Sequence, residues 1–238
     1  MFIWTEESAA FWADSAAYTK SYERLAQRAA AHLVPGGSLF EGGCGLGCLS
    51  LALARQGYAV TAMDTSPLPL RYLRAQAKGT PGLTVRQGDV FALARDVVFD
   101  YGVFCFFGGV RETLAWAKDH CKEKLILFKK NWGTHRFTRD PGALRKFTYP
   151  LTVAELRALG VPFAAEVFDV DMGQPFRSLS DGVRFFRLYD PQGAMTEREV
   201  LSRLTETGDD AFPYYLPAVR PVGMICISSE DLRNIPLP

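Results

Sequence analysis

The sequence predicts an α/β fold built around a mostly parallel β-sheet. In the stretch 38–64, an apolar strand leads into a glycine-rich loop, an apolar helix stops at Gly57, and a second apolar strand ends on Asp64. This strand–helix–strand order is the unit from which parallel sheets are built. The order then repeats, because short apolar strands and helical patterns alternate as far as residue 128.

Hydrophobic periodicity and capping residues place the other elements. Ser66 is a suitable N-cap and Pro67 a suitable first helical residue, so a helix is expected from Pro67 to about Ala77. The sequence Thr152-x-x-Glu155 predicts a capping box that opens a helix ending at Gly160. The remaining predicted strands are 83–86, 97–107, 124–128, 163–170 and 222–228, and the remaining predicted helices are 22–33, 110–121, 178–189 and 196–205.

The spacing of the loop glycines indicates which ligand the loop accepts. Gly43, Gly45 and Gly47 fall on alternate positions, with Glu41 two residues before the first. A dinucleotide-binding loop instead needs glycine, one residue, glycine, two residues and then glycine or alanine. Counted from Gly43, that last place holds Cys48, so the dinucleotide pattern does not fit. An unrelated tight strand-to-helix turn is the alternative.

The sequence Glu-x-Gly-x-Gly-x-Gly, followed by an acid that closes the next strand, resembles the class I S-adenosylmethionine-dependent methyltransferases. The resemblance covers about residues 38–130. It implies a Rossmann-like seven-stranded sheet in the order 3-2-1-4-5-7-6, with an antiparallel last strand, helices on both faces and a helical insertion near the C-terminus. It also implies S-adenosylmethionine as the methyl donor and S-adenosylhomocysteine as the product.

The resemblance implies roles for several acids. Asp64 is expected to accept bonds from the ribose hydroxyls, Glu41 to suit an ammonium group, and Asp89 to accept the adenine amino group next to the backbone of Val90. A capping role is the alternative for Asp64, but Ser66 is expected to cap that helix. The complete set of expected cofactor-binding residues is Tyr18, Glu41, Gly43, Cys44, Gly45, Gly47, Asp64, Thr65, Asp89, Val90, Phe104 and Cys105.

Residues 104–107, which follow the fourth strand, are expected to border the transferable methyl group. They lack the prolines that nucleic-acid methyltransferases carry there, and Cys105 lies among phenylalanines, so we interpret it as an inert thiol rather than a nucleophile. A sulfonium is a good leaving group, and in-line positioning supplies most of the catalysis. No catalytic residue is therefore assigned, and His135 is the one candidate for a general base.

The chain is expected to form one methyltransferase domain over 1–238, with its cofactor-binding core at 38–130. The aromatic N-terminal part, 1–33, is expected to be helical and to act as a lid, although simple core packing explains Trp4 and Phe11 better. Residues 176–218 are expected to form a helical cap over the substrate, and packing is again the default interpretation of their aromatic side chains.

Composition limits the partners. The 238 residues carry a formal net charge of +1, and no run of about eighteen apolar residues occurs, so neither a membrane span nor a general attraction to nucleic acid is expected. The N-terminus lacks the features of a secretory signal, and the five cysteines are scattered, so we expect a cytoplasmic protein. The histidines and cysteines show no ligand spacing, and no metal is expected.

One basic segment stands out. From Lys122 to Lys146, eight basic residues oppose only Glu123 and Asp140. A solvated loop, a site for an anionic substrate group, and a nucleic-acid surface are the three interpretations. The favoured function is methyl transfer to a small-molecule acceptor. The alternatives are an RNA or protein methyltransferase that uses this segment, and a non-catalytic adenosine-binding protein.

Overall fold

The computed structural model describes residues 3–134, 137, 147–190, 195–233 and 235. The described residues divide into two compact units. The first unit draws on residues 1–21, 132–145 and 169–220, and the second on residues 22–131, 146–168 and 221–238. Within the described part of the chain, no helix has the length and hydropathy that crossing a membrane requires.

In chain order, the described strands are β1 (Ser38–Gly42), β2 (Ala59–Asp64), β3 (Leu83–Gln87), β4 (Phe99–Cys105), β5 (Cys121–Lys130), β6 (Ala164–Asp171), β7 (Gln174–Phe176), β8 (Thr205–Glu206), β9 (Tyr214–Leu216) and β10 (Val219–Ser228). The described α-helices are α1 (Glu6–Thr19), α2 (Ser21–Ala30), α3 (Cys48–Arg55), α4 (Pro67–Ala77), α5 (Val110–His120), α6 (Tyr149–Ala158), α7 (Leu179–Tyr189), α8 (Glu197–Leu201) and α9 (Ser229–Leu232).

A seven-stranded sheet organises the second unit. Its order is β3-β2-β1-β4-β5-β10-β6, which is the predicted order once β10 is counted as the seventh strand. The pairs β1–β2, β2–β3, β1–β4 and β4–β5 are parallel, and β10 runs antiparallel to β5. The predicted fold class is therefore confirmed. Because these five neighbouring strands are parallel, their carboxyl ends share one edge of the sheet, named here the carboxyl edge.

Aromatic packing fills the core of the second unit. The rings of Phe40 on β1 and Trp116 on α5 stack with their centroids 4.7 Å apart, and Phe99 packs on Phe40 at 5.1 Å. Helix α3 is buried along most of its length, including Leu49 and Leu53. Burying side chains of this size contributes about 2 kcal/mol each, so these contacts hold β1 and its flanking helices in place.

The first unit has its own small core. Strands β7, β9 and β8 form a three-stranded sheet in that order, and both of its pairs are antiparallel. Phe11 of α1 packs edge-to-face on Phe176 and Phe185, at centroid distances of 6.0 Å and 5.3 Å. The predicted helical insertion thus contains two helices and strands that periodicity did not reveal.

The bounds of helices α6 and α8 differ from the predicted ones. Helix α6 begins at Tyr149, not after Thr152, because Pro150 fits the first helical turn and Thr148 is the N-cap. The Thr152 N–H donates within the helix, to the Thr148 carbonyl at 2.9 Å. The predicted Thr152 capping box is therefore wrong. Helix α8 also ends at Leu201, four residues before its predicted end at Thr205.

Candidate active site

The carboxyl edge brings the glycine loop together with the ends of two neighbouring strands. In the sheet register, Gly42 at the end of β1 lies opposite Met63 on one side and Phe104 on the other. The loop that follows β1, the acid that ends β2 and the residues that leave β4 are therefore neighbours. Ligands of open α/β sheets bind in such a crevice.

Four N–H groups of the glycine loop donate hydrogen bonds within the fold. Those of Gly43 and Cys44 both donate to the Met63 carbonyl, at 2.9 Å and 3.1 Å, and that of Gly47 donates to the Cys44 carbonyl at 2.8 Å. The N–H of Gly45 donates to Asp64 Oδ2 at 2.9 Å. A phosphate-binding loop instead turns its N–H groups toward the anion. With these four donors used internally, the loop suits a ligand without phosphates.

The loop also needs unusual backbone conformations. Gly43, Gly45 and Gly47 have φ values of +68°, +53° and +66°, in the left-handed region that glycine adopts without strain. A Cβ atom at Gly43 would overlap the Phe107 ring, and one at Gly47 would overlap the Leu73 side chain. Glycine at both places is thus required by backbone conformation and by close packing.

Asp64 links the loop to the start of α4. Its Oδ2 accepts from the Gly45 N–H, and its Oδ1 accepts from the Ser66 N–H at 2.8 Å. Ser66 is the N-cap residue of α4, but its side chain makes no capping bond. The sequence argument that Ser66 relieves Asp64 of capping is therefore wrong. The half-buried carboxylate keeps lone pairs for further donors, since two oxygens offer about four acceptor sites.

Glu41 is buried directly beneath the loop. Its Oε2 accepts a hydrogen bond from the Ser50 hydroxyl on α3, which ties β1 to that helix. Burial raises the pKa of Glu41 to about 8, the Ser50 bond opposes the rise, and the charge on Asp64 adds to it. Glu41 is thus largely protonated at neutral pH, and its contact here is with Ser50. Its predicted role toward an ammonium group stays a prediction.

Asp89 begins the short 3₁₀ turn Val90–Ala92 that follows β3. Its Oδ1 accepts from the Phe91 N–H at 2.9 Å, and its side chain is exposed while Val90 is buried. β3 lies beside β2 in the parallel sheet, so Asp89 and Asp64 follow neighbouring strands at the carboxyl edge. The predicted contacts of Asp64 with the ribose and of Asp89 with the adenine stay predictions.

Three near-parallel phenylalanine rings lie beside the loop. Phe104 from β4, Phe107 after it and Phe91 have centroids 5.9–6.4 Å apart and interplanar angles of 5° to 11°. Phe104 is fully buried, whereas Phe91 and Phe107 reach the surface. Burial raises the pKa of the Cys105 thiol well above its ordinary value, which agrees with the interpretation of Cys105 as an inert thiol.

The residues that sequence reasoning missed hold the turn after β4. This β4–α5 loop, residues 106–109, has Phe106 at φ +55° and Gly108 at φ +74°. Lys129, fully buried at the end of β5, donates from Nζ to the Phe107 carbonyl at 3.1 Å and to the Gly108 carbonyl at 2.8 Å. The apolar run before Lys129 in β5 was the available signal, because a lysine ending a buried strand needs acceptors.

The remaining predicted site residues are Tyr18, His135 and Thr65. Tyr18 lies in the first unit, where its ring packs on Tyr215 and Phe212 at centroid distances of 5.2 Å and 5.7 Å. Its predicted contact with the cofactor stays a prediction. His135, the candidate base, lies outside the described residues. Thr65, exposed, follows Asp64 directly.

Three of the four described lysines of the basic segment contact neighbouring groups of the fold. Lys122 Nζ lies 3.7 Å from Asp100 Oδ1, and Lys124 donates to the His32 carbonyl at 2.8 Å. Both lie at the start of β5, whereas Lys129 lies buried near its end. Most of the rest of the segment, residues 135, 136 and 138–146, lies outside the described residues.

Comparison with known families gives one match. Residues 40–124, which include the glycine loop, Asp64 and Asp89, match the family described as "Methyltransferase domain". A search of curated protein sequences finds no match.

Solved structures resemble the fold at low sequence identity. A precorrin-6Y C5,15-methyltransferase from Geobacter metallireducens has a TM-score of 0.51 at 13% identity, covering 87% of each chain. A coclaurine N-methyltransferase bound to N-methylheliamine and S-adenosylhomocysteine has a TM-score of 0.50 at 11% identity, covering 89% of this chain and 71% of that one. A putative RNA methyltransferase from Pyrococcus horikoshii has a TM-score of 0.51 at 13% identity, covering 88% and 84%.

Proposed function

We propose that this protein, a class I S-adenosylmethionine-dependent methyltransferase, transfers the methyl group of S-adenosylmethionine to a small-molecule acceptor. The cofactor part of the proposal rests on the inward-turned glycine loop. Its N–H groups are used by Met63, Cys44 and Asp64, which suits a phosphate-free nucleoside. The loop backbone would hold the amino-acid part, Asp64 the ribose hydroxyls, and Asp89 with Val90 the adenine. The donor supplies an electrophilic methyl group on a good leaving group.

The acceptor class rests on the contacts of three of the four lysines of β5. Lys122 pairs with Asp100, Lys124 with a backbone carbonyl, and Lys129 is buried. A nucleic-acid surface needs exposed cations that contact several phosphates. Because these three lysines already contact groups of the fold and the formal net charge is only +1, a small acceptor is favoured over a nucleic acid. Two of the three comparison proteins, named for coclaurine and precorrin, fall in this class, and the third is named a putative RNA methyltransferase.

Calorimetry with S-adenosylhomocysteine, with NAD as the matched control, tests the cofactor assignment. We expect saturable binding of S-adenosylhomocysteine and none of NAD, because the N–H groups of Gly43, Cys44, Gly45 and Gly47 already donate within the fold instead of turning toward a pyrophosphate. The reverse result would show that the glycine loop serves a dinucleotide. Binding of S-adenosylhomocysteine without turnover on any acceptor class would favour the non-catalytic adenosine-binding alternative.

A transfer assay distinguishes the acceptors. Donor carrying a labelled methyl group is incubated with small amines, phenols, thiols and carboxylic acids, with total RNA, and with total protein. We expect label in a small-molecule fraction. Label in RNA, together with RNA binding that weakens steeply as salt rises, would instead support the RNA alternative. A cytoplasmic location remains part of the proposal and rests on the sequence alone.

A further inference from the structure

The β4–α5 loop is fixed at each of its four residues. The Phe106 N–H donates to the Phe128 carbonyl at 2.9 Å. Lys129 Nζ binds the carbonyls of Phe107 and Gly108, and the Gly109 N–H donates to Glu112 Oε2 at 2.9 Å. Such complete anchoring is unusual for an exposed turn, since loops commonly leave their polar groups to water.

The loop conformation needs this anchoring. Phe106 has φ +55°, a left-handed conformation that costs a residue with a side chain about 1–2 kcal/mol. Strained residues of this kind persist where their surroundings hold them, and they cluster at functional sites. Burying the Lys129 ammonium is also unfavourable, because its Nζ meets two neutral carbonyls in place of a carboxylate. The backbone strain at Phe106 and the burial of the Lys129 ammonium therefore both destabilise the β4–α5 loop.

The result of this arrangement is the position of Phe107. Its ring lies so close to the glycine loop that a Cβ atom at Gly43 would overlap it. The same ring stacks on Phe104 and Phe91. Lys129 donates to the carbonyl of Phe107 itself. The buried ammonium group therefore holds the same residue whose ring lies against the glycine loop.

We propose that Lys129 is a positioning residue whose ammonium group holds the β4–α5 loop, so that the Phe107 ring packs against Gly43. The position of this ring in turn sets the affinity of the cofactor seat, which is the proposed binding site formed by the glycine loop, Asp64 and Asp89 with Val90. The inference rests on the cofactor seat proposed above. Lys129 is fully buried and acts through the carbonyls of Phe107 and Gly108.

The first test is a set of variants titrated with S-adenosylhomocysteine by calorimetry. We expect Lys129→Met to weaken binding at least tenfold and Lys129→Arg, which keeps the charge, to weaken it less than threefold. Lys124→Met is the matched control, since Lys124 also donates to a backbone carbonyl but at the opposite end of β5. We expect its affinity to stay within twofold of the unaltered protein.

A double-mutant cycle separates positioning from a general loss of stability. If Lys129 acts through Phe107, then Lys129→Met combined with Phe107→Leu should bind no more weakly than the weaker single variant. Independent contributions would instead add. A purely structural role predicts that Lys129→Met lowers the urea midpoint while the folded fraction binds as tightly as the unaltered protein. Additive effects, or that unchanged affinity, would overturn the inference.

The affinity for S-adenosylhomocysteine measured against pH gives a second test, which does not require Lys129→Met to fold. Burial lowers the pKa of Lys129 to about 8, while Cys105 on β4 and Glu112 on α5 act in the opposite direction. Raising the pH from 7 to 9.5 should therefore weaken binding severalfold more in the unaltered protein than in Phe107→Leu. The amine of the ligand and Glu41, whose pKa is about 8, titrate in both proteins, so equal profiles would contradict the inference.

The outcomes distinguish this inference from the proposed function. If the unaltered protein binds S-adenosylhomocysteine but Lys129→Met, the cycle and the pH profile show no link to Phe107, the positioning role is wrong and the proposed function stands. If the unaltered protein does not bind S-adenosylhomocysteine at all, the proposed cofactor seat is wrong, and the positioning role is overturned with it.

Discussion

Asp64 performs two tasks at one point of the site. Its carboxylate accepts the N–H groups of Gly45 and Ser66, so it shapes the glycine loop as well as facing the proposed ribose position. Charge-assisted hydrogen bonds of this kind are stronger than neutral ones. A single aspartate therefore couples the loop geometry to the proposed ligand contact.

Replacing Asp64 by alanine should weaken S-adenosylhomocysteine binding at least tenfold, about 1.4 kcal/mol. The reason is the loss of a charge-assisted acceptor for the ribose hydroxyls. Calorimetry measures the change. Asp100→Ala is the matched control, since that half-buried aspartate accepts two bonds from Ser38, at the start of β1 and β4. Unchanged affinity in Asp64→Ala, or equal losses in both variants, would contradict the ribose assignment.

Glu41 makes stability depend on pH. Its pKa in the folded protein, about 8, lies above the ordinary 4.5, so folding favours its protonated form. That contribution is greatest below about pH 4.5, declines as the pH rises, and is lost above about pH 8. Glu41→Gln keeps an acceptor for Ser50 without the charge, and should flatten this decline.

Urea unfolding of Glu41→Gln from pH 5 to pH 8.5 checks this effect. We expect the variant to be more stable than the unaltered protein at pH 8.5 by at least about 1 kcal/mol. Asp100→Asn is the control, because bonds from Ser38 lower the pKa of Asp100 and its contribution is lost only at acidic pH. Parallel curves for Glu41→Gln and the unaltered protein would show that Glu41 is not protonated in the folded state.

Sequence reasoning at the level of elements succeeded where the pattern is local. Alternating glycines after an apolar strand, with an acid closing the next strand, determine the β1–α3–β2 unit almost completely. The start of α6 was misplaced because Thr148-Tyr-Pro and Thr152-x-x-Glu155 both resemble helix starts, and only Pro150 in the first turn decides between them. The Lys129 bonds were out of reach, since they join residues twenty-one and twenty-two positions apart.

At the scale of the element, Gly47 should matter more than Gly57. Both have positive φ, +66° and +92°, but a Cβ atom at Gly47 would overlap Leu73, whereas one at Gly57 would meet no atom within 4 Å. We expect Gly57→Ala to cost only the backbone strain, about 1 kcal/mol. Gly47→Ala should cost about 1–3 kcal/mol more through overpacking between α3 and α4.

The free energies of unfolding in urea give this comparison directly. Gly57→Ala serves as the internal control, because it introduces the same methyl group at a second left-handed position without a packing partner. Equal losses in the two variants would mean that Leu73 moves aside without cost. The close packing of the glycine loop on α4 would then contribute nothing to the rigidity of the site.

At the scale of the whole molecule, the proposed cofactor seat lies within one unit. The glycine loop, Asp64, Asp89 and Lys129 all belong to the second unit, while Tyr18 and residues 176–218 belong to the first. The strands of the seven-stranded sheet were predictable because they are apolar and separated by clear helices, and their order was implied by the resemblance to the class I methyltransferases. The small sheet of the first unit was not, because β7, β8 and β9 have only two or three residues each, too few for a period to be recognised.

Because the described residues of the glycine-loop site belong to the second unit, binding of S-adenosylhomocysteine should stabilise that unit against unfolding. A ligand that binds only the folded state at 100 times its dissociation constant stabilises that state by about 2.7 kcal/mol, which raises the unfolding midpoint of a chain of this size by roughly 5–10 °C. Saturating S-adenosylhomocysteine should produce such a shift in calorimetric scans of the unaltered protein, NAD should produce none, and Asp64→Ala should lose most of it. If the two units unfold in separate transitions, only that of the second unit should move, because every described residue of the proposed seat other than Tyr18 lies there. A shift confined to the first unit, or an equal shift with NAD, would contradict the assignment of the cofactor seat to the glycine loop.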